Sequence, residues 1–89
     1  MDTTRYWNEF FSGWPAGLPQ AGIVITTYQE NIPFIRFMLA DGTIALERDR
    51  PDTIGARKVV LALSAIAAVK MTDTDSFDRF AQMGFFEVG

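Results

Sequence analysis

Between Lys58 and Lys70 runs the stretch Val59-Val60-Leu61-Ala62-Leu63-Ser64-Ala65-Ile66-Ala67-Ala68-Val69, with no charge in it. A helix needs about 20 apolar residues to cross a bilayer, so this run is too short to span one. It must be buried in a core, an interface, or both. Two local structures compete for it. As one helix over 58–72, its Ala, Leu and Met content is favourable, and Leu61, Ala65 and Ala68 share a face. As two strands broken at Leu63-Ser64-Ala65, Val59 to Leu61 and Ile66 to Met71 each suit a buried sheet. Periodicity does not choose between them. The β-branched residues at both ends, and strand-like chain before the run, favour the two strands.

Chain length limits how much of this surface one copy can bury. With 89 residues, 48% of them hydrophobic and 13% aromatic, the sequence is apolar for a small domain. Contact with other copies or with partners is therefore expected. The net charge of -3, from 11 acidic and 8 basic residues, argues against a bulk electrostatic grip on RNA or DNA, though not against a local basic patch. Neither cysteine nor histidine is present. That excludes a disulfide framework and the common soft metal sites, and no cofactor is implied. The opening residues Met-Asp-Thr-Thr-Arg lack the pattern of a signal peptide, so the expectation is a cytoplasmic protein with no membrane partner.

In chain order, Asp2, Thr3 or Thr4 caps a helix over about 3–13 that ends at Gly13 and Pro15. Tyr6, Trp7, Phe10, Phe11 and Trp14 form an aromatic stripe along it. A helix this short needs packing to persist, so the stripe is expected to lie on a sheet rather than serve as a base-stacking platform. After a Pro/Gly connector, Ile23 to Tyr28 reads as a strand, and Ile32 to Leu39 as a second. On the second, Ile35, Phe37 and Leu39 share one face, and Phe34, Arg36 and Met38 the other. Asp41-Gly42 is a tight hairpin signal. Thr43 to Glu47 forms the third strand, with Ile44 and Leu46 inward.

The loop 47–58 alternates in sign, which predicts internal pairing. Arg48, Arg50, Arg57 and Lys58 are the candidate contacts for RNA or another anion, opposed by Glu47, Asp49 and Asp52. Asp73 to Ser76 starts a short C-terminal helix with Phe77, Phe80 and Ala81 on its apolar face and Gly84 as its stop. The tail after it is placed to add a strand or dock on a neighbour. For a calcium loop, Asp73, Asp75 and Asp78 lack the glycine and terminal glutamate at the required spacing. No nucleophile–base pair, Walker loop or dinucleotide fingerprint is present, so no catalytic residue is assigned and an enzyme is not expected.

The stretch Val59 to Val69, with Ile66 after the break, resembles the second signature of the Sm and Sm-like proteins, including the bacterial Hfq type. Ile32 to Glu47, with Asp41 followed by Ile44-Ala45-Leu46-Glu47, resembles the first. The resemblance covers roughly residues 20–72. It implies a mainly β fold: a small, strongly bent five-stranded barrel over about 22–72 with an N-terminal helix and a short C-terminal helix in 73–89, one domain over 1–89. It further implies a homo-oligomeric ring, joined through Val59, Val60, Leu61, Ala67, Ala68 and Val69, that associates with RNA. The motif positions are Asp41, Ala62, Leu63 and Ile66. Ala62-Leu63 replace the family's Arg-Gly or equivalent pair, and Gly42-Thr43 follow Asp41 where a base-stacking residue usually stands. The usual uridine pocket is therefore expected to be missing or remade. The alternative is a structural or protein-interaction scaffold that binds no RNA.

Overall fold

Aromatic side chains and β-branched strands meet in one core, and the order of elements follows from how each contributes to it. The computed structural model describes residues 2–89; Met1 lies outside them. Helix α1 (Thr4–Ser12) is followed by β1 (Gly22–Thr26), β2 (Asn31–Phe34), β3 (Arg36–Ala40), β4 (Thr43–Glu47), β5 (Lys58–Ala62) and β6 (Ile66–Met71). The strands form two three-stranded antiparallel sheets, β2-β1-β6 and β3-β4-β5.

At the start of α1, the Asp2 carboxylate accepts bonds from the Thr4 hydroxyl at 2.6 Å and the Thr4 N–H at 2.9 Å. Those bonds, the hydroxyl's foremost, hold its carboxyl below the ordinary range. The N-cap position itself is Thr3, whose side chain makes no capping bond, so Asp2, one place before it, supplies the side chain. The stripe behind it is packed, as expected, but narrower than five residues. Phe11 is buried; Trp7, Phe10 and Trp14 are half-buried; Tyr6 is exposed. Trp7 Nε1 donates to the Ile66 carbonyl at 3.0 Å, which fastens the helix to the first residue of β6.

The apolar run 58–72 is two strands. They are broken by a 3-10 turn, Leu63–Ala65. Leu63 is fully buried within that turn, so the break faces the core and one straight helix is avoided. It joins Phe11, Val24, Ile32, Phe34, Ile44, Leu46, Leu61 and Ile66 in a single apolar cluster.

The expected second strand, Ile32 to Leu39, is divided. Ile32 and Phe34 point inward from β2, Ile35 and Arg36 are both exposed, and Phe37 and Leu39 turn inward again from β3. The two-residue alternation therefore slips by one place. Ile35 does not share a face with Phe37 and Leu39, nor Phe34 with Arg36. The slip occurs where the chain changes partner. β2 pairs with β1, whereas β3 pairs with β4, and the Ile35 N–H already bonds the Glu47 carbonyl at 2.8 Å. It keeps the rings of Phe34 and Phe37 in contact, 6.1 Å between centroids, on the inner side of the bend. Ile44 and Leu46 are inward, as the alternation predicts.

The C-terminal helix is a 3-10 segment, Phe77–Met83, capped by Ser76 Oγ, which accepts from the Asp78 N–H at 3.1 Å. Three residues per turn brings side chains at i and i+3 into line. The Phe77 and Phe80 rings accordingly lie 5.2 Å apart. Gly84 ends it at φ 94°, in the left-handed region. The tail adds no strand. Phe85 instead packs on Phe80 and on Phe10 of α1.

Candidate functional site

Consecutive hairpins place the sequence-predicted residues at two opposite ends of the β3-β4-β5 sheet. At one end, the Asp41-Gly42 turn joins β3 to β4, with Gly42 at φ 69°. Thr43 pairs with Ala62, and the Leu63 N–H donates to the Gly42 carbonyl at 3.0 Å. Of the motif positions, Asp41, Ala62 and Leu63 therefore gather around one turn, while Ile66 begins β6 and pairs with Thr26 of β1. Their side chains are not equivalent. Leu63 and Ile66 are buried in the core, leaving exposed Asp41 and the methyl of Ala62 to face outward. Neither supplies a stacking ring or a cation.

The neighbouring β1–β2 turn contributes what the strand reading of Ile23 to Tyr28 missed. The Thr27 N–H bonds the Ala65 carbonyl at 2.8 Å, and Tyr28, the next residue, is exposed. Gln29 beside it takes φ 67°, uncommon for a residue other than glycine. A β-branched sequence running into Tyr28 gives no sign that the strand stops at Thr26.

At the other end lie the four basic residues. Glu47 pairs with Lys58, and the Arg48 N–H bonds the Arg57 carbonyl at 2.8 Å, closing the base of the loop. The length of β4 separates them from the Asp41-Gly42 turn, roughly 14 Å at the usual strand rise. The structure thus brings the candidate anion contacts together with one another but not with the motif turn.

The expected internal charge pairing of the loop is replaced by another device. Among the described residues, no ion pair forms within 48–57, and Glu47 instead approaches Arg36 at 4.0 Å. Asp52 organises the loop: its carboxylate accepts from the Ala56 N–H at 2.8 Å and the Ile54 N–H at 3.0 Å. The Ala56 bond foremost, with the Ile54 bond and the Arg48 charge, holds the Asp52 carboxyl below its ordinary range. Arg48 donates its Nε–H to the Arg50 carbonyl at 3.0 Å. Backbone groups are stronger partners here because a carboxylate two to four residues away reaches them without fixing a long side chain.

The candidate interface residues fall on two strand edges. Among the described residues, β5 is bonded only to β4 and β6 only to β1. Val59 and Leu61 point inward from β5, while Val60 is 73% exposed; on β6, Ala67 is exposed and Ala68 and Val69 half-buried. Two further apolar surfaces lie open. One is a shallow hollow of about 230 Å³ on the outer face of β3-β4-β5, bordered by Arg36, Met38, Ala45, Glu47 and Lys58. The other is an open hollow of about 550 Å³ in the C-terminal segment, lined by Phe77, Phe80, Phe85 and Phe86 with Asp78 and Glu87.

No helix among the described residues is long and apolar enough to cross a membrane. Comparison with protein-family models, with curated proteins and with solved structures gives no match for this chain.

Proposed function

We propose that this chain is a non-enzymatic, Sm-like module that assembles with itself into a closed ring through β5 and β6, without the family's usual uridine pocket. The observation that carries the reading is the pair of one-sided strands flanking a three-residue turn. Counting β2 and β3 as one bent strand that changes partner at Ile35, the order is β6-β1-β2/β3-β4-β5, a strongly bent five-stranded barrel left open at those two strands. Pro33 blunts the edge of β2, whereas β5 and β6 carry lysine only near their outer ends, at Lys58 and Lys70. A contact between two different edges either closes into a ring or continues as a filament.

Light scattering at micromolar concentration is expected to give one discrete oligomer. Ala68→Pro and Val69→Pro test the edge. Successive N–H groups on a strand face opposite sides, so one of these substitutions removes an outward donor and spares the bond to β1. That variant is expected to keep the parent's β spectrum and fall to small species. A monodisperse monomer for the parent would overturn the ring.

RNA association is the second reading, supported only by the clustering of Arg48, Arg50, Arg57 and Lys58. Binding to oligo-uridine is expected to be weak at physiological salt and to weaken steeply as salt rises, since phosphate contacts release counterions. Tight, salt-insensitive binding to uridine tracts would restore a base-reading pocket, with Tyr28 the exposed ring to substitute first.

A further inference from the structure

We infer that the C-terminal segment, residues 73–89, forms a second contact between copies, lying against the Arg36–Glu47–Lys58 end of the neighbouring copy's β3-β4-β5 sheet. This rests on the edge-paired assembly above and names a surface that edge pairing alone does not use.

Direction comes first. If β6 of one copy pairs antiparallel with β5 of the next, the last residue of β6, Met71, falls beside the first residue of β5, Lys58. The chain leaving Met71 then emerges at the basic end of the neighbouring sheet, not at its Asp41-Gly42 end, before it packs along its own α1. The inner faces constrain the register. Val59 and Leu61 face the core from β5, and Val69 packs on it from β6, with half-buried Met71 two places further along the same face. Keeping those faces together puts Lys58 and Lys70 of adjacent copies on the same outer face, within about one residue pair of each other. Like charges so placed repel. Further acid relieves that repulsion, and the chain that follows Lys70 carries four such residues.

Charge complements charge across this contact. Residues 73–89 carry Asp73, Asp75, Asp78 and Glu87 against the single cation Arg79. Arg79 is already engaged, 3.4 Å from Asp75 and 3.5 Å from the Ala16 carbonyl. Arg36 and the loop 47–58 together hold five cations, Arg36, Arg48, Arg50, Arg57 and Lys58, against Glu47, Asp49 and Asp52. Within the sheet, Glu47 stands between Arg36 and Lys58 and answers only one of them.

Apolar surface matches as well. Phe77 is 79% and Phe86 84% exposed, while Met38 on the outer face of β3 is 66% exposed beside the hollow between Arg36 and Lys58. An aromatic, acidic segment and a basic-rimmed apolar hollow are two halves of one interface, with the charges setting orientation and the rings supplying the area. The segment need not leave its own body: Phe85 keeps its packing on Phe10, and Phe77 and Phe86 already face outward.

Charge exchange tests this on the full chain. Two reversed chains are made, Asp78→Lys with Glu87→Lys, and Arg36→Glu with Arg57→Glu; a third carries all four substitutions. All four positions lie on the surface, and circular dichroism checks each fold. Molar mass against concentration is expected to show each double variant associating about tenfold more weakly than the parent, with the quadruple variant recovering. Mixing the two double variants should also restore large species, because each then meets its opposite charge. Association of both double variants like the parent, or no recovery in the quadruple variant, overturns the contact. The two readings fail separately. An oligomer that falls apart with the outward-facing proline yet ignores all four charges keeps edge pairing and removes the tail contact. A monomeric parent removes both.

Discussion

Phe11→Ala is expected to lower the unfolding free energy by about 3–5 kcal/mol, the usual range for a large buried aromatic ring. Phe11 is only 2% exposed, and its ring centroid lies 5.0 Å from Phe37, 5.4 Å from Phe10, 6.0 Å from Trp14 and 6.5 Å from Phe34. It thus reaches both sheets, through Phe34 on β2 and Phe37 on β3, as does Trp14 just beyond the helix. Small domains are held by roughly 0.05–0.15 kcal/mol per residue, so a loss of this size is a large share of the total here. Urea unfolding at fixed protein concentration is the measurement, with a lower midpoint and an unchanged slope expected. Tyr6→Ala is the comparison, since that ring is exposed and its loss should register far less. A Phe11→Ala variant that unfolds with the parent would mean that α1 is not part of the core.

Several features of the fold were open to reading because they depend on neighbours in sequence. Asp41-Gly42 joins two alternating apolar runs, and the turn lies there. Leu63-Ser64-Ala65 divides the long apolar run into two strands of ordinary length, and the break lies there. Even the separation of the motif turn from the basic loop follows from hairpin order, because the two connections sit at opposite ends of β4. The slip at Ile35–Arg36 was not open in the same way. A regular alternation through Ile32 to Leu39 is the natural reading of that stretch, and the slip exists only because β2 and β3 bond to different partners. Asp52 was hidden for a related reason: its neighbours of opposite sign pointed to ion pairs, while the groups it binds, the N–H of Ile54 and Ala56, occur at every residue. Asp41, Ala62 and Leu63 do meet at one turn, but the exposure of the motif positions was not legible. Leu63 and Ile66 look like members of a site until the core closes over them.

Gly22 is the strongest case of a residue whose importance only packing reveals. The chain around it, Pro19-Gln20-Ala21-Gly22, reads as connector, and glycine there needs no special explanation. In the fold it is the first residue of β1, the central strand of its sheet, paired with Phe34 on one side and Met71 on the other. Its backbone lies in no special region, so the requirement is one of space. A Cβ at this position would stand 2.5 Å from the Lys70 carbonyl oxygen and 3.2 Å from Cζ of Phe34. The first contact is with backbone and cannot be relieved by a rotamer change, so β6 must move away from β1. Gly22→Ala is expected to cost about 1–3 kcal/mol, the range for overpacking a filled core, with Gly22→Val worse. Gly42→Ala is the instructive comparison. It meets no atom within 4 Å, so its cost is confined to the left-handed backbone at φ 69°. Thermal or urea unfolding of both variants should leave the Gly42 protein closer to the parent. Displacing β6 also disturbs the edge proposed to join copies, so Gly22→Ala should weaken any such assembly at concentrations where Gly42→Ala does not. If Gly22→Ala proves as stable as the parent, β1 and β6 do not approach as closely as this structure has them.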